Sequence, residues 1–264
     1  MNLSLNKITD FNMNFFSLKG KVAIITGGNS GLGQGFALAL AKAGADIFVV
    51  SMADDEGVTK ELIEAEGVKY HIKIADITKD GVCKEIVDEC VETFGKIDIL
   101  INNAGIGINE KDVTRFTRFQ WDKMVSVNLT APFELAHEAA KLMIPQQSGK
   151  IINTCSLFSY LGGQWSPAYA ATKHGLAGFT KAYCDELAQF NIQVNGIAPG
   201  YFATDVTKET RANPESNQRV LDHIPANRWG NIQDLMGAVV FLASDASNYV
   251  NGSLINVDGG YLVR

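Results

Sequence analysis

The chain has 264 residues, 46% of them hydrophobic, and a net charge of −6, which fits one large α/β domain or two small ones. The acidic balance argues against a nucleic acid or an anionic membrane as the main partner, because both attract basic surfaces. No stretch approaches the roughly 18 uninterrupted apolar residues of a membrane-spanning helix, and the N-terminus does not resemble a signal peptide. We therefore expect a cytoplasmic protein.

Seven short, β-branched apolar runs alternate with helical patterns along the chain. Each run is almost continuously apolar, which is typical of parallel strands that are buried on both faces. The alternation predicts βαβ units, and hence an α/β fold with one Rossmann-type, doubly wound parallel sheet of about seven strands flanked by helices. The predicted strands are Val22–Thr26, Ile47–Ser51, Tyr70–Ala75, Ile97–Asn102, Lys150–Thr154, Gln193–Ala198 and Ser253–Val257. The predicted helices are Leu32–Ala43, Val58–Glu66, Val82–Phe94, Phe119–Met143, Ala168–Phe190 and Ile232–Ser244.

The domain organisation follows from where these patterns begin and stop. Residues 1–17 precede the first strand and are predicted to be an N-terminal extension, whereas residues 18–264 form a single domain. Residues 201–229 contain no clear strand and follow the sixth one. Sheets of this kind bind ligands beyond the carboxyl ends of their strands, so we predict a substrate lid at 201–229. A surface helix-turn-helix is the alternative.

A glycine-rich turn joins the first strand to the first helix. Glycine permits a sharp turn and a close approach of backbone to a pyrophosphate, and the helix N-terminus then attracts the phosphates. The spacing is G-x-x-x-G-x-G, a variant of the common dinucleotide fingerprint. The residues predicted to contact a dinucleotide here are Gly27, Asn29, Ser30, Gly31, Leu32 and Gly33.

The end of the second strand bears on the choice between NAD and NADP. A carboxylate at this point favours NAD through the ribose hydroxyls, whereas an arginine favours the 2′-phosphate of NADP. Ser51 and Met52 supply neither, and Asp54 and Asp55 follow without a nearby cation. The sequence therefore favours NAD as cofactor, with Ser51 near the ribose and NADP as the alternative.

Tyr169 and Lys173 form a Tyr-x-x-x-Lys pair, whose spacing places both side chains on one face of a helix. A free tyrosine is a sluggish acid or base at neutral pH, and a neighbouring ammonium stabilises its phenolate form. Such pairs also arise by chance. Here Ser156 follows a predicted strand at the edge where sites form, so we interpret Tyr169 as a proton-transfer residue.

Taken in order, these motifs resemble those of the short-chain dehydrogenase/reductase family, from about Leu18 to Arg264. Besides the glycine turn, the resemblance is carried by Asp76, Asn102-Asn103-Ala104-Gly105, Asn128, Ser156, Tyr169, Lys173, Pro199-Gly200 and Thr204. It implies NAD(P)-dependent interconversion of an alcohol and a ketone by a homotetramer.

The resemblance also implies a role for each matching residue. Ser156 hydrogen-bonds the substrate oxygen, Tyr169 exchanges its proton, and Lys173 holds the nicotinamide ribose. Asn128 holds a water that relays protons, unless it is a buried asparagine satisfied by backbone. Asp76 accepts a hydrogen bond from the adenine amino group. Further cofactor contacts are implied for Ile77, Asn103, Ala104, Gly105, Pro199, Gly200, Phe202 and Thr204. No metal is expected, because the four histidines show no ligand spacing.

The C-terminal third is most similar to sugar-acid members of the family. These are the 2-dehydro-3-deoxy-gluconate 5-dehydrogenases, also called 2-deoxygluconate 3-dehydrogenases, and the gluconate 5-dehydrogenases. This resemblance implies a small sugar-acid substrate, with Gln164 and Trp165 lining its pocket beside Ser156 and Tyr169. Such relatives tend to carry paired arginines after the Asn-Asn-Ala-Gly segment, and this chain does not. The candidate ligands for a substrate carboxylate are Arg115, Arg118, Lys208, Arg211 and Arg219.

Other functions remain open. A neutral polyol or sugar dehydrogenase and a 3-oxoacyl-thioester reductase share the fold and the Ser/Tyr/Lys set. A sugar-nucleotide epimerase normally needs a larger substrate domain than this chain allows. A non-enzymatic dinucleotide sensor has no need of Ser156, Tyr169 and Lys173 in register.

Overall fold

The computed structural model describes residues 12–264, which form one seven-stranded sheet flanked by helices. The strands are β1 (Val22–Thr26), β2 (Asp46–Ser51), β3 (Tyr70–Ile74), β4 (Ile99–Asn102), β5 (Gly149–Thr154), β6 (Ile192–Pro199) and β7 (Leu254–Val257). The helices are α1 (Gly31–Lys42), α2 (Val58–Glu64), α3 (Val82–Phe94), α4 (Arg118–Val125), α5 (Ala131–Gln146), α6 (Pro167–Leu187), α7 (Lys208–Ala212), α8 (Pro214–His223) and α9 (Gln233–Ala243). The predicted fold class is confirmed.

Burial on both faces explains why the strands read as continuous apolar runs. Every residue of β1 is buried, and its side chains alternate between two apolar clusters. Ala23 and Ile25 pack with α1 and α9, whereas Val22 and Ile24 pack with α3 and α5. Each of these four positions of β1 thus faces a core on one side or the other, and a polar side chain there would lose its hydration.

The order of the strands creates a crevice at the carboxyl edge of the sheet. All neighbouring strands are parallel, in the order β3-β2-β1-β4-β5-β6-β7. The chain winds outward from β1 in one direction to β3 and then in the other direction from β4. At such a reversal the loops after β1 and β4 diverge to opposite faces, which leaves space for a ligand.

One predicted helix differs from the structure, whereas the segment 201–229 lacks a strand as expected. The single predicted helix Phe119–Met143 is wrong: α4 is followed by a π-helical turn, Ser126–Thr130, and then by α5. Pro132 in the first turn of α5 has no N–H, so an uninterrupted α-helical hydrogen-bond ladder is impossible there. The stretch 201–229 contains α7 and α8, the second capped by Asn213, whose Oδ1 accepts from Ser216 N at 2.9 Å. It is therefore largely helical.

A buried lysine gives the fold a pH-dependent stability. Lys150 on β5 donates hydrogen bonds to Ser247 Oγ at 3.2 Å and to Asn248 Oδ1 at 2.8 Å. Burial is the main cause that lowers the pKa of Lys150 to about 8. A lysine of the unfolded chain has a pKa of ~10.4, so between pH 8 and that value the unfolded chain binds more protons than the folded protein. The free energy of unfolding therefore rises with pH over this range.

We expect the free energy of unfolding of the wild type to rise relative to that of Lys150→Met between pH 8 and pH 10. Urea unfolding of both proteins at the two pH values measures this difference. The comparison removes contributions from other titrating groups, which the two proteins share. A difference that stays constant over this range would show that Lys150 titrates normally in the folded protein.

Candidate active site

The turn between β1 and α1 is built so that backbone segments can approach one another closely. A Cβ at Gly33 would overlap the carbonyl oxygen of Gly27 and the side-chain nitrogen of Asn103, and would lie 2.8 Å from the Gly27 carbonyl carbon. Gly27 and Gly31 have φ values of +63° and +51°, which favour glycine. The turn brings the N-terminus of α1, with its unpaired N–H groups, to the crevice.

Thr26, Asn103 and Thr154 lock the ends of three strands together at this edge. Thr26 Oγ1 accepts from the backbone N–H groups of Asn103 at 3.0 Å and Ala104 at 2.9 Å. Asn103 Nδ2 donates to Thr26 O at 3.0 Å, and Thr154 Oγ1 donates to Asn103 Oδ1 at 3.5 Å. Sequence reasoning missed Thr26 and Thr154 as individual site residues. Their common signal is a threonine that ends a buried strand.

The end of β2 is closed by a polar clamp at the corner predicted to receive the adenosine ribose. Ser51 Oγ donates to Asn29 Oδ1 at 2.6 Å, and Asn29 Nδ2 donates to Ala53 O at 2.6 Å. Asp54 and Asp55 follow β2 just beyond this corner, and their charges add to the effect of burial in raising the pKa of Tyr70. A phosphate at this corner would meet carboxylates close by.

A cleft of about 710 Å³ continues from this corner between the strand ends and α4. Its volume lies within the range of small-molecule sites. Ser51, Asp76, Ile77, Ala104 and Gly105 all line it, as the sequence predicted for a cofactor site. Thr78 donates to Asp76 Oδ1 from both its hydroxyl and its backbone N–H, and these hydrogen bonds lower the pKa of Asp76. Asp76 is therefore ionised and able to accept a hydrogen bond at neutral pH.

Tyr169 and Lys173 lie one turn apart at the start of α6, beside the end of β5. Lys173 Nζ lies 5.6 Å from the centroid of the Tyr169 ring and donates to Thr154 O at 2.7 Å. Lys173 is only 4% exposed, whereas Tyr169 is half-buried. The ring of Phe158, which the sequence did not single out, packs edge-on against Tyr169 at 5.8 Å between centroids. The ammonium is thus fixed and the phenol accessible.

Ser156 lies two residues beyond the end of β5, at the start of the next helical turn. Its Oγ accepts from Phe158 N at 3.2 Å, which leaves the hydroxyl proton available to another acceptor. The neighbouring Ser159 accepts from Ser156 N at 3.3 Å and donates to Lys173 O at 2.8 Å, so it holds the two segments together. Cys155 is buried, and burial raises the pKa of its thiol, which makes it a poor nucleophile.

Asn128 lies in the π-helical turn and is 1% exposed. Its side chain accepts from Ile106 N at 2.8 Å and donates to Ile106 O at 2.9 Å and to Thr172 Oγ1 at 3.3 Å. The side chain is therefore engaged with protein, which agrees with the alternative of a buried, backbone-satisfied asparagine. The Asn128 carbonyl differs, because Pro132 in the i+4 position has no N–H to offer it.

The loop after β4 passes directly over these residues. A Cβ at Gly105 would lie 3.3 Å from Asn128 Oδ1 and 3.8 Å from Lys173 Nζ, and one at Gly107 would lie 4.0 Å from Tyr169 Cδ2. A side chain at Gly105 would therefore crowd Asn128, whereas one at Gly107 would make an ordinary contact with the Tyr169 ring.

The remaining predicted residues lie in the turn after β6 and just before α6, and none of them lines the cleft of about 710 Å³. Pro199 ends β6, and a Cβ at Gly200 would lie 2.6 Å from Asp258 Cα, so the turn after β6 also requires a glycine. Phe202 is buried there, and Thr204 begins the next helical turn. Gln164 and Trp165 are exposed just before α6.

No group of three or more His, Cys, Asp or Glu side chains within residues 12–264 is arranged to hold a metal ion. None of the helices in this part of the chain combines the length and the apolar character needed to cross a membrane.

Comparisons with known proteins agree with this geometry. A family model described as enoyl-(acyl carrier protein) reductase matches residues 27–262. The Escherichia coli (strain K12) protein described as "Uncharacterized oxidoreductase YgcW" is 69% identical over 99% of this chain and 100% of its own. The 2-dehydro-3-deoxy-D-gluconate 5-dehydrogenase of the same strain is 46% identical over 94% of this chain and 98% of its own.

A solved structure extends the similarity to three dimensions. The gluconate 5-dehydrogenase from Burkholderia cenocepacia J2315, in complex with NADP and tartrate, is 36% identical and superposes with a TM-score of 0.90. The match covers 95% of this chain and 98% of that one. The chain belongs to the short-chain dehydrogenase/reductase family and is an NAD(P)-dependent oxidoreductase.

Proposed function

We propose that the protein interconverts a secondary alcohol and a ketone on a small sugar acid, as a 2-dehydro-3-deoxy-gluconate or gluconate 5-dehydrogenase. The observation that carries the reaction type is the meeting of Ser156, Tyr169 and Lys173 at one edge of the sheet, beside a nucleotide-sized cleft. The substrate class is supported by the names of relatives that match over nearly their whole length.

The residues at the crevice fit a nicotinamide dinucleotide. Gly33 packs so closely against Gly27 and Asn103 that no side chain fits there. The phosphate turn is therefore made of backbone, and the N–H groups at the start of α1 would bind a pyrophosphate. Asp76 would hold the adenine amino group, Lys173 the nicotinamide ribose, and the turn from Pro199 to Thr204 the carboxamide. When bound, the nicotinamide supplies or accepts the hydride.

The proton is handled by the side chains of the protein. In the oxidation direction the Ser156 hydroxyl donates a hydrogen bond to the oxygen of the substrate alcohol. The Tyr169 phenolate accepts the proton of that substrate alcohol. In reduction Tyr169 returns the proton to the carbonyl oxygen. The Lys173 ammonium stabilises the phenolate electrostatically. A water on the Asn128 carbonyl would connect this site with solvent, a role that the Asn128 side chain leaves to its backbone.

NAD is the preferred cofactor in this proposal. The clamp between Ser51, Asn29 and Ala53 occupies the ribose corner with neutral groups, and Asp54 and Asp55 repel a 2′-phosphate. Two cations line the cleft, Lys79 and Lys123. Lys79 Nζ lies 3.9 Å from Asp76 Oδ2, on the adenine side of the cleft in this proposal.

We expect Met52→Arg to shift the cofactor preference towards NADP. Met52 is 70% exposed directly after β2, so an arginine there reaches the 2′-phosphate without repacking. A charge-assisted hydrogen bond predicts a change of about tenfold or more in the ratio of kcat/KM for NADPH and NADH. Met52→Leu is the matched control. If Met52→Arg leaves the ratio of kcat/KM for NADPH and NADH unchanged, the adenosine ribose does not bind beside Met52.

The lid, assembly and location remain proposals. Thr207 Oγ1 donates to Phe202 O at 2.7 Å and Arg211 Nη2 to Thr204 O at 2.9 Å, which couples α7 to the nicotinamide turn and supports a lid at 201–229. An exposed aromatic cluster on α5 and α6 supports a homotetramer, testable by light scattering. Its members are Phe133, His137, Phe179 and Tyr183. A cytoplasmic location is consistent with cofactor supply.

A spectrophotometric substrate panel tests the proposed function. Purified protein is assayed with NAD(H) and NADP(H) against 2-dehydro-3-deoxy-D-gluconate, gluconate, 5-keto-D-gluconate, neutral polyols and an acetoacetyl thioester. We expect turnover of a sugar acid with the NAD(H) pair. Activity on the thioester with NADPH alone would instead favour a 3-oxoacyl-thioester reductase, and activity on polyols alone a neutral-sugar dehydrogenase.

A further inference from the structure

The loop after β4 carries a lysine that is held by an aromatic ring. Lys111 Nζ lies 5.6 Å from the centroid of the Trp165 ring, in cation–π geometry. Trp165 is 37% exposed and has a φ of +67°, a backbone conformation that is strained for a tryptophan. Strain of this kind persists where neighbouring contacts maintain it, and it is frequent in ligand sites.

Two hydrogen bonds fix the loop against the segment that contains Trp165. Glu110 N donates to Trp165 O at 2.8 Å, and Ser166 Oγ donates to Ile108 O at 2.7 Å. The same loop passes Tyr169 at Gly107, and the Trp165 segment leads directly into the helix that bears Tyr169. Lys111 is therefore held against the segment that leads into the Tyr169 helix.

The acidic neighbours of Lys111 are directed to other partners. Glu110 Oε1 accepts from Asp112 N at 3.0 Å, and Asp112 Oδ1 accepts from Thr114 N at 3.0 Å and Thr114 Oγ1 at 2.7 Å. Among residues 12–264, no carboxylate lies within 4.0 Å of the Lys111 ammonium. A ring face contacts the ammonium without consuming its N–H donors, so these remain available to an anion.

Other cations suggested by the sequence have partners that hold them elsewhere. Arg118 pairs with Asp122 at 2.6 Å on the surface of α4. Arg211 uses Nε and Nη2 on Thr207 Oγ1 and Thr204 O at the base of the lid.

We infer that Lys111, seated on Trp165, binds the carboxylate of the sugar acid and selects acids over neutral substrates. This inference rests on the proposed function. A sugar acid that reacts at C5 carries its carboxylate several bonds from the reacting carbon, and Lys111 is a cation fixed on the segment next to the Tyr169 helix and not on that helix itself. Trp165 acts as a positioning residue for Lys111.

Lys111→Met tests the assignment through its selectivity. We expect KM for the sugar acid to rise about 10- to 100-fold, the range for loss of a hydrogen bond to a charged group, with kcat and the KM for NADH within threefold. Lys111→Arg should recover most of the affinity. Turnover of the methyl ester of the same acid should be unaffected, and Trp165→Leu should reproduce part of the KM increase. Lys19→Met makes the same chemical change at an exposed lysine just before β1, at the opposite edge of the sheet, and is the matched control.

Binding of gluconate and tartrate to the protein with NADH, measured by calorimetry, adds a readout without turnover. We expect Lys111→Met to weaken it at least tenfold. If the wild type turns over the sugar acid and Lys111→Met changes neither KM nor binding by more than twofold, the inference is wrong and the proposed function stands. If the wild type neither binds nor converts any of these acids, both are wrong.

Discussion

Replacing Tyr169 by phenylalanine is expected to lower kcat about 1,000-fold while leaving NADH affinity within threefold. The change removes only the hydroxyl group, and the edge-on contact of the ring with Phe158 is retained. General acid–base catalysis by a positioned side chain contributes about 100- to 10,000-fold, and the phenol is here the group that exchanges the proton. Steady-state kinetics on the sugar acid and fluorescence titration with NADH measure the two quantities.

Tyr249→Phe is the matched control, because the side chain of Tyr249 is fully exposed and the chemical change is identical. We expect its kcat to equal that of the wild type. A Tyr169→Phe protein that keeps more than a tenth of the wild-type kcat would show that another group transfers the proton.

Replacing Gly33 by alanine is expected to weaken NADH binding at least about 100-fold. The added methyl group overlaps the backbone oxygen of Gly27 and the amide of Asn103, and neither can move without opening the hydrogen bonds between Thr26 and Asn103. Overpacking of this kind costs typically about 1–3 kcal/mol, and here the distortion falls on the backbone donors of the phosphate turn. Fluorescence titration measures the affinity.

Gly237→Ala controls for the effect of removing a glycine from a helix. Gly237 lies in α9 with nothing within 4 Å of an added Cβ, so alanine should raise the melting temperature slightly without altering NADH binding. If Gly33→Ala binds NADH as tightly as the wild type does, the phosphate turn does not require a glycine at this position. Circular dichroism of both variants distinguishes a local change in the turn from general unfolding.

Features that depend on short spacings could be predicted from the sequence. The glycine turn and the Tyr169/Lys173 pair are each set within a few residues, because a tight turn and a helix fix local geometry regardless of the rest of the chain. The parallel sheet follows from strands that are apolar on both faces. For the same reason the ends of the strands could be predicted to within a few residues.

Features that depend on residues far apart in the sequence could not be predicted. Thr26 and Asn103 are 77 residues apart, and their hydrogen bond exists only because β1 and β4 are neighbours. Lys111 meets Trp165 through two loops whose mutual placement no local pattern encodes. Pro132 and Asn213-Pro214 carry a local signal for the π turn and for the start of α8, because a proline removes a donor or begins a helix, but the interpretation of the sequence did not use it.

Transfer of isotope from substrate to cofactor tests the central claim most directly. The protein is incubated with NAD and 2-dehydro-3-deoxy-D-gluconate that carries deuterium at C5, and the NADH formed is analysed by mass spectrometry. We expect the NADH formed by the wild type to carry deuterium at C4 of the nicotinamide. NADH formed without deuterium, or none formed at all, would contradict direct hydride transfer from C5 of this sugar acid.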